Sequence, residues 1–421
     1  MSIVFQPADI LLPDFSRVDG TRWAVVACDQ YTSDPAYWRS VADLVGSAPS
    51  TLRLILPEVY LSEAAERIPA IHAEMERAAR EVLISRPNAM IYLERTQADG
   101  RVRRGLIGAV DLEAYDYNKG STSPVRATEG TVLERIPPRV AVRRGAPLEL
   151  PHVMLLIDDP GRTVIEPLAD RRDKPVYDFD LMKQGGHARG YLLSDREQTA
   201  VCRALGALAT PEAMRARYGS ADLAPLLFAV GDGNHSLASA KACYEEIKAA
   251  RGDKALTHPA RYALCEVVNV HDAALDFEPI YRVVFGADPA DLTDAFSAYA
   301  AARAGKAAPQ KITVLAGGAE IAVAVHTPEK QLPVGTLQAF LDGYLADHPG
   351  TTVDYIHGID AVRELVAADP AARVGFLFDG MAKSDLFRTV LYDGALPRKT
   401  FSMGHAHDKR FYLECRKIKE E

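Results

Sequence analysis

The sequence predicts an α+β fold with mixed sheets and interleaved helices. Strand-like and helical segments alternate along the 421 residues without the steady rhythm that a doubly wound parallel sheet requires. Several strand-like runs flank a glycine turn, a pattern typical of antiparallel hairpins. The hydrophobic fraction of 48% and the charged fraction of 25% are ordinary for a folded protein, which excludes disordered and fibrous classes.

Apolar runs on either side of a turn signal predict three antiparallel pairs of strands. The pairs are 90–93 with 106–110 around Asp99-Gly100, 153–157 with 163–165 around Pro160-Gly161, and 312–315 with 321–325 around Gly317-Gly318. Further apolar runs predict buried strands at 226–230, 263–270 and 374–378.

Helices are predicted where apolar residues recur at helical spacing and capping residues mark the ends. Ser194 and Glu197 form a capping box for a helix that runs to about residue 208. Thr210 and Pro211 have the pattern of an N-cap followed by a proline in the first turn. The other predicted helices cover 62–83, 236–250, 289–303, 336–346 and 360–368.

The chain is predicted to form a main domain over residues 1–300 and a C-terminal portion over 301–421. A length of 421 residues allows two to three domains. The stretch 304–309 contains only Ala, Gly, Lys and Pro, which is typical of a connector. Because candidate site residues occur on both sides of it, we expect the C-terminal portion to pack back on the same site.

The charge balance limits the classes of partner. Lys and Arg total 49 against 57 Asp and Glu, which leaves a net charge of −8. This disfavours nucleic acid and membrane surfaces and leaves a small-molecule substrate. The five scattered cysteines form no C-x-x-C pair, as expected in a reducing cytoplasm, and we find neither a signal-peptide pattern nor a membrane-spanning run. We expect a cytoplasmic protein, with a homodimer as an open alternative.

A glycine-rich loop between a predicted strand and a predicted helix is the strongest candidate site. Its residues are Gly231, Asp232, Gly233, Asn234, His235 and Ser236. The glycines allow a ligand to approach the backbone, and the helix N-terminus offers N–H groups and partial positive charge to a phosphate. The carboxylate and the imidazole suit metal binding or proton transfer. The alternative is a structural turn in which Asn or Ser caps the helix.

Two other segments combine charged side chains with glycines or hydroxyls. Arg126, Glu129 and Arg139 lie in a stretch that suits phosphate or carboxylate recognition, or else a solvated strand edge. Gly186 and His187 follow a second glycine in a segment where the backbone could approach a ligand, although a plain loop has the same composition.

The segment from 396 to 409 is basic and carries two histidines. Arg398 and Lys399 favour an anion. On a strand, His405 and His407 would share a face and could ligate a metal, with further ligands from elsewhere. An anion-binding loop, a metal site and a purely structural role therefore remain open.

Near the start of the chain, Cys28 and Asp29 follow an apolar run that predicts a strand. Active-site residues often lie at strand ends. Asp29 is therefore a candidate acid or base, and a nucleophilic Cys28 is an alternative to a packed thiol.

Five long motifs together resemble the Domain of Unknown Function 1015 family. They are 27–33 (ACDQYTS), 126–139 (RATEGTVLERIPPR), 177–190 (YDFDLMKQGGHARG), 231–236 (GDGNHS) and 396–408 (LPRKTFSMGHAHD). The loop is similar to that of the ParB/sulfiredoxin-like group, which includes free-serine kinases and CTP-binding ParB proteins. The resemblance implies a ParB/sulfiredoxin-like core with large additions and a nucleotide phosphate held by the loop.

The resemblance departs from the family pattern at three positions. The common form of the loop is Asp-Gly-His-His-Arg, so Asn234 replaces the first histidine and Ser236 replaces the arginine. Thr128 stands where the family has a histidine before the acidic position, which Glu129 matches. Family members tend to lie beside serine-biosynthesis genes, which implies a phosphorylated or amino-acid metabolite.

These residues predict a kinase-like phosphotransferase that acts on a small metabolite such as serine and uses ATP or ADP with Mg²⁺. Asp232 would hold Mg²⁺ or orient the acceptor, His235 would contact phosphate or move a proton, and Glu129 or Asp29 would be the general base. Phosphate charge would be balanced by Arg126, Arg398 and Lys399.

Two alternatives remain open at this level. A metal-dependent hydrolase of phosphorylated metabolites would use His405 and His407 with a carboxylate. The second alternative is a non-catalytic protein that binds a nucleotide or metabolite. It stays open because Ser236 replaces an arginine of the loop.

Overall fold

The structure is a computed structural model that describes residues 4–130, 136–171, 173–306 and 308–420. The chain divides into two compact units, one formed by Met1–Leu275 together with Gly404–Glu421 and the other by Asp276–Met403. The sequence analysis placed the boundary at residue 300. The second unit instead begins at Asp276, and residue 300 lies within a helix of that unit. Residues 131–135 of the motif at 126–139 lie outside the described residues.

The first unit contains helices α1 to α7 and strands β1 to β13. The helices are α1 (Gly20–Trp23), α2 (Pro35–Val45), α3 (Ala64–Glu81), α4 (Ile136–Arg143), α5 (Asp195–Leu208), α6 (Pro211–Tyr218) and α7 (Asn234–Arg251). The strands are β1 (Phe5–Gln6), β2 (Ala8–Pro13), β3 (Leu83–Ala89), β4 (Ile91–Thr96), β5 (Val102–Asp111), β6 (Tyr115–Asp116), β7 (Val125–Ala127), β8 (Leu148–Glu149), β9 (Met154–Ile157), β10 (Tyr177–Leu181), β11 (Gly186–Leu192), β12 (Phe228–Asp232) and β13 (Tyr262–Asn269).

A large mixed sheet forms the centre of this unit. Within the described residues its order is β10-β11-β4-β5-β13-β9-β12-β7-β6, and β1 also pairs with β5. Strand β9 runs parallel to β13 and antiparallel to β12, while β12 runs parallel to β7. The predicted α+β class with mixed sheets is therefore confirmed.

The large sheet is buried on both faces because its strands alternate between two apolar clusters. Along β5, Leu106 belongs to one cluster and Ile107 to the other. Along β13, Leu264 and Cys265 divide in the same way. The period of two in side-chain direction produces this division. The unit thus has a core on each side of one sheet.

The second unit is built on a smaller antiparallel sheet. Its strands are β14 (Phe277–Phe285), β15 (Gln310–Ala316), β16 (Ala319–Val325), β17 (Thr352–His357), β18 (Arg373–Phe378) and β19 (Phe401–Met403). Its helices are α8 (Pro289–Ala301), α9 (Pro333–Asp347), α10 (Ile359–Ala368) and α11 (Asp385–Asp393). The sheet order is β16-β15-β18-β14-β17, and β19 pairs with one end of β14.

After the second unit the chain returns to the first. Residues 411 and 415 make isolated bridges with Val26 and Leu11, and the last strand, β20 (Arg416–Lys417), pairs antiparallel with β8. Residues 404–420 therefore form an integral part of the first unit.

A buried ionic network holds this returning segment against the sheet. Arg410 pairs with Glu266 of β13 at 3.2 Å and also with Glu414, and Arg103 pairs with Glu266 at 3.3 Å. The Tyr177 hydroxyl donates to Glu414 at 2.6 Å. Burial alone would raise the pKa of Glu266, but the two guanidinium groups hold it below its ordinary value.

Most predicted elements are confirmed where the signal is local. The hairpins at Asp99-Gly100 and Gly317-Gly318 are present as β4–β5 and β15–β16. The capping box of Ser194 and Glu197 opens α5, and Thr210 caps α6.

Other predictions of secondary structure were wrong. No strand forms at 163–165, because Asp159 accepts hydrogen bonds from the backbone N–H groups of Thr163 and Val164, and β9 already has a neighbour on each side. The apolar run directly before Cys28 forms no strand, since its one sheet-like pairing is the isolated bridge of Val26. His405 precedes a short 3-10 turn and is not in a strand.

Among the described residues, no helix combines the length and the apolar composition that crossing a bilayer would require.

We expect Glu266→Gln to lower the free energy of unfolding by about 3–5 kcal/mol, because it leaves Arg103 and Arg410 buried without their shared carboxylate. Urea denaturation at pH 7 measures the change. Glu245→Gln is the matched control, since Glu245 is an exposed carboxylate that pairs with the half-buried Lys241 at 2.7 Å, and loss of this pair should cost about 0.5 kcal/mol or less.

Wild type and Glu266→Gln can also be compared as a function of pH. Because the folded pKa of Glu266 lies below the ordinary value of 4.5, its contribution to stability is present at neutral pH and is lost as the pH falls below that value. The difference between wild type and Glu266→Gln should shrink on acidification. Equal urea midpoints at pH 7 would contradict the role assigned to the network.

Candidate functional site

The glycine-rich segment forms a strand–turn–helix unit in which the turn is a single residue. Gly231 and Asp232 end β12, and α7 begins at Asn234. Gly233 has a φ of +77°, and a Cβ there would lie 3.0 Å from the Cα of Val153. Glycine is therefore required at this position both for its backbone conformation and for space.

The first turn of α7 has no side-chain cap, since its N-cap residue is Gly233. Asn234 is buried, and among the described residues its Oδ1 accepts no hydrogen bond. His235 and Ser236 are half-buried on the same turn. The N-terminus of α7 carries the partial positive charge of a helix end, which favours an anion nearby.

Two carboxylates and one ammonium group meet beside this helix end. Lys409 Nζ lies 3.2 Å from Asp232 Oδ2, and the Gly233 N–H donates to Asp232 Oδ1 at 3.0 Å. Burial opposes charge on Asp29, but His152, the Gln30 amide and Lys409 together hold the pKa of Asp29 below its usual range. Asp29 is therefore ionised at neutral pH.

His152 is a member of this cluster that the sequence analysis did not identify. Its Nε2 lies 2.5 Å from Ser236 Oγ and 3.9 Å from Asp29 Oδ2, and its Nδ1 lies 2.9 Å from the Tyr412 hydroxyl. No glycine or charge cluster surrounds His152 in the sequence. The one signal is its position just before β9, a strand that pairs with β12.

The hydrogen bonds around Tyr412 define the orientation of the imidazole. Burial, followed by Cys28 and Asp29, raises the pKa of Tyr412, so its hydroxyl keeps its proton. That hydroxyl accepts the Cys28 N–H at 3.1 Å and lies 2.9 Å from Nδ1 of His152. The other ring nitrogen, Nε2, faces Ser236 and Asp29. A serine activated by histidine would need the tautomer that carries its proton on Nδ1.

A nucleophilic Cys28 is not supported. Burial, reinforced by Asp29, raises the pKa of the Cys28 thiol to about 12. Since the thiolate is the reactive form, Cys28 is unreactive at neutral pH.

A cavity of about 150 Å³ opens beside the cluster. Its walls are largely apolar, from residues such as Leu54, Leu148 and Leu237. Its polar lining comprises Glu58, Arg139, Arg143, Glu149, His152, Ser236, Ser239 and Tyr412. Glu58 and Arg139 form an ion pair in which each side chain is about 15% exposed. The volume is small beside the ~300–1,000 Å³ of pockets for drug-sized ligands, so it suits a small metabolite.

Two predicted residues lie on β7 or just after it. Arg126 is buried and donates to the backbone carbonyls of residues 123, 224 and 225, so we assign it a structural role. Glu129 follows β7, and because β7 runs parallel to β12, with Ala127 opposite Val230, Glu129 emerges at the same edge of the sheet as Asp232.

Gly186 and His187 are not brought to this cluster. They lie on β11, five strands from β12 in the order of the sheet. Both ring nitrogens of His187 contact carboxylates, Nδ1 at 2.7 Å from Asp180 and Nε2 at 2.6 Å from Asp178. These contacts give His187 a structural role in the hairpin formed by β10 and β11.

The predicted residues of the last motif divide between the two units. Arg398 and Lys399 belong to the second unit, and His405 belongs to the first. The rings of His405 and His407 stack with their centroids 5.4 Å apart. In the part of the chain that the structure describes, no group of three or more His, Cys, Asp or Glu side chains is arranged to hold a metal.

The family model described as "Protein of unknown function (DUF1015)" matches residues 14–344. Among curated proteins, no sequence matches this chain. A free serine kinase in complex with AMP is 12% identical with a TM-score of 0.36, over 72% of this chain and 92% of that one. A conserved hypothetical protein from Pyrococcus furiosus is 10% identical with a TM-score of 0.33, over 72% and 95%. Structural similarity of this degree does not identify the activity of this chain.

We expect Gly233→Ala to lower the free energy of unfolding by at least about 1 kcal/mol, because alanine is strained at a positive φ and its Cβ would press on Val153. Gly206→Ala in α5 is the matched control. A Cβ at Gly206 meets nothing within 4 Å, so this change should be neutral or stabilising. Thermal and urea unfolding measure both variants, and a Gly233→Ala protein as stable as wild type would contradict the assignment.

Proposed function

This chain belongs to the DUF1015 family, and we propose that it is a kinase-like phosphotransferase that acts on a small metabolite such as serine and uses ATP or ADP with Mg²⁺. The observation that carries the proposal is the meeting of Asp29, Asp232 and Lys409 at the uncapped first turn of α7. Phosphoryl transfer depends mainly on positioning and on charge stabilisation, which are the contributions that these groups can make.

The phosphates of the nucleotide would bind at the start of α7. The N–H groups of that turn supply partial positive charge, and Lys409 supplies a full one. His235 lies on the same turn and is the further candidate for a phosphate contact. Gly233 allows the tight turn that places the start of α7 directly after Asp232.

The acceptor would occupy the cavity beside His152. A hydroxyl of the metabolite would lose its proton to the Asp29 carboxylate, which is ionised before the reaction. His152 would orient Ser236, which lies 2.5 Å from its Nε2 on the lining of the cavity, and Asp29 would approach from beside His152. Glu129 remains the second candidate for the base, because it emerges at the same sheet edge as Asp232.

The residues present fit a Mg²⁺ ion that is held mainly by the oxygens of the nucleotide. Such ions commonly use one or two carboxylates, and Asp232 is the carboxylate that we assign to it. When bound, Mg²⁺ neutralises phosphate charge. Asp232 would hold the ion, and Lys409, whose Nζ lies 3.2 Å from Asp232, would contact the phosphates.

We expect Asp29→Asn to lower kcat for phosphoserine formation by about 10²-fold or more, because the amide cannot accept the proton of the acceptor. The assay supplies ATP or ADP, Mg²⁺ and L-serine to the full chain. Asp43→Asn is the control, since Asp43 is an exposed carboxylate on α2.

The outcomes of this assay separate the alternatives. Unchanged turnover in Asp29→Asn would overturn the assignment of the base. No turnover by wild type with either nucleotide, together with tight nucleotide binding, would identify a non-catalytic binding protein. Turnover of phosphoserine to serine without a nucleotide would identify a hydrolase.

We expect Lys409→Ala to weaken nucleotide binding about tenfold or more, because a charge-assisted contact to phosphate is lost. Isothermal titration of ADP into the full chain measures the dissociation constant. Lys254→Ala, on an exposed 3-10 turn of the same unit, should leave it unchanged. Equal affinities for wild type and Lys409→Ala would place the phosphates elsewhere.

A further inference from the structure

The cavity beside His152 is walled mainly by the hydrophobic core of the first unit. Its lining includes side chains that belong to one core cluster and are at most 5% exposed, namely Leu54, Met75, Leu148 and Leu264. Leu237 and Ala240 of α7 add apolar surface from the cluster on the other face of the sheet. A group that enters the cavity therefore exchanges water for surroundings that consist largely of carbon.

The polar side chains of the lining already have partners within the protein. Arg143 pairs with Glu149, and Glu58 pairs with Arg139. Ser239 donates to a backbone carbonyl of its own helix at 2.7 Å. A ligand gains little by competing for such groups, because one hydrogen bond is only exchanged for another. Recognition inside the cavity therefore depends mainly on apolar contact.

The candidate catalytic groups meet the cavity at one part of its lining. His152 and Ser236 both line it, and Asp29 Oδ2 lies 3.9 Å from His152 Nε2. Cys28, the neighbour of Asp29 in the chain, lines it as well. A hydroxyl placed beside these groups would leave the rest of its molecule inside the apolar cavity. Serine is a poor occupant, because its ammonium and carboxylate would lose water beside side chains that are already paired.

We propose that the acceptor bound by this cavity is an alcohol with an apolar body of about four to six carbons, in preference to serine. A cavity of about 150 Å³ with apolar walls has room for a benzene-sized group. The identification of this ligand as an acceptor rests on the phosphotransferase proposed above. Its hydroxyl oxygen would bond to the terminal phosphorus of the nucleotide as the bond from that phosphorus to the bridging oxygen breaks. The hydroxyl proton would pass to Asp29, and the nucleotide would leave with one phosphate fewer.

Binding of straight-chain alcohols to the full chain tests the cavity without requiring turnover. Ligand-observed NMR titration gives a dissociation constant for each alcohol from ethanol to 1-octanol. We expect the affinity to rise about threefold to fourfold for each added methylene until the chain has about six carbons, and to stop rising once the chain exceeds the cavity. Affinities that do not depend on chain length would overturn the proposal.

Two variants reduce the volume of the cavity from different walls. Ala240→Val adds bulk from α7, and Ala146→Val adds it from the segment just after α4. Each should weaken the binding of 1-hexanol about tenfold, because two added carbons take the place of two methylenes of the ligand. Ala249→Val, at an exposed position of α7, is the matched control and should change the binding less than twofold. Thermal unfolding shows which variants are folded, and unchanged binding in a folded cavity variant would contradict the assignment.

Turnover with ATP and Mg²⁺ tests whether the bound alcohol is the acceptor. We expect kcat/KM for 1-pentanol to exceed that for L-serine by about tenfold or more. A higher kcat/KM for L-serine would overturn the proposed acceptor class and leave the phosphotransferase intact. Binding that depends on chain length without any phosphate transfer would support the ligand class and overturn the phosphotransferase.

Discussion

The pairing of Arg410 with Glu266 and Glu414 is the interaction on which the organisation of the first unit depends. Two buried carboxylates and two buried guanidinium groups are tolerable only because each has a partner, and removing one would leave charge in a dry interior. The network joins residues that are more than 100 positions apart in the chain. It therefore secures the returning segment 404–420 at one register on the sheet.

That register determines what the site contains. Lys409 and Tyr412 flank Arg410 in the chain, so anchoring Arg410 places the ammonium beside Asp232 and the hydroxyl beside His152. The Tyr412 hydroxyl then holds the ring of His152 in place, and His152, the Gln30 amide and Lys409 together keep Asp29 ionised. A structural ion pair and the candidate catalytic groups are thus coupled through a few residues of one segment.

Local signals predicted the strand–turn–helix unit at β12 and α7, because Gly233 and the apolar spacing act within a few residues. They also predicted the α+β class and the capping of α5. His152 and Tyr412 could not be predicted, because their proximity to Ser236 arises only when distant segments meet. Arg126 is the opposite case. Its charge suggested a contact with phosphate, but in the structure its guanidinium donates to backbone carbonyls that the sequence does not reveal as neighbours.

The interrupted course of the first unit also bears on how the protein is made. During synthesis the whole of Asp276–Met403 emerges before Gly404–Glu421 does, so the second unit can fold while the first still lacks its closing segment. Until residues 404–420 arrive, Glu266 and Arg103 have no Arg410 to complete their network, and His152 has no Tyr412. A chain cut short after the second unit would therefore lack both the partner that completes the buried network and the residues 409 and 412 of the candidate site.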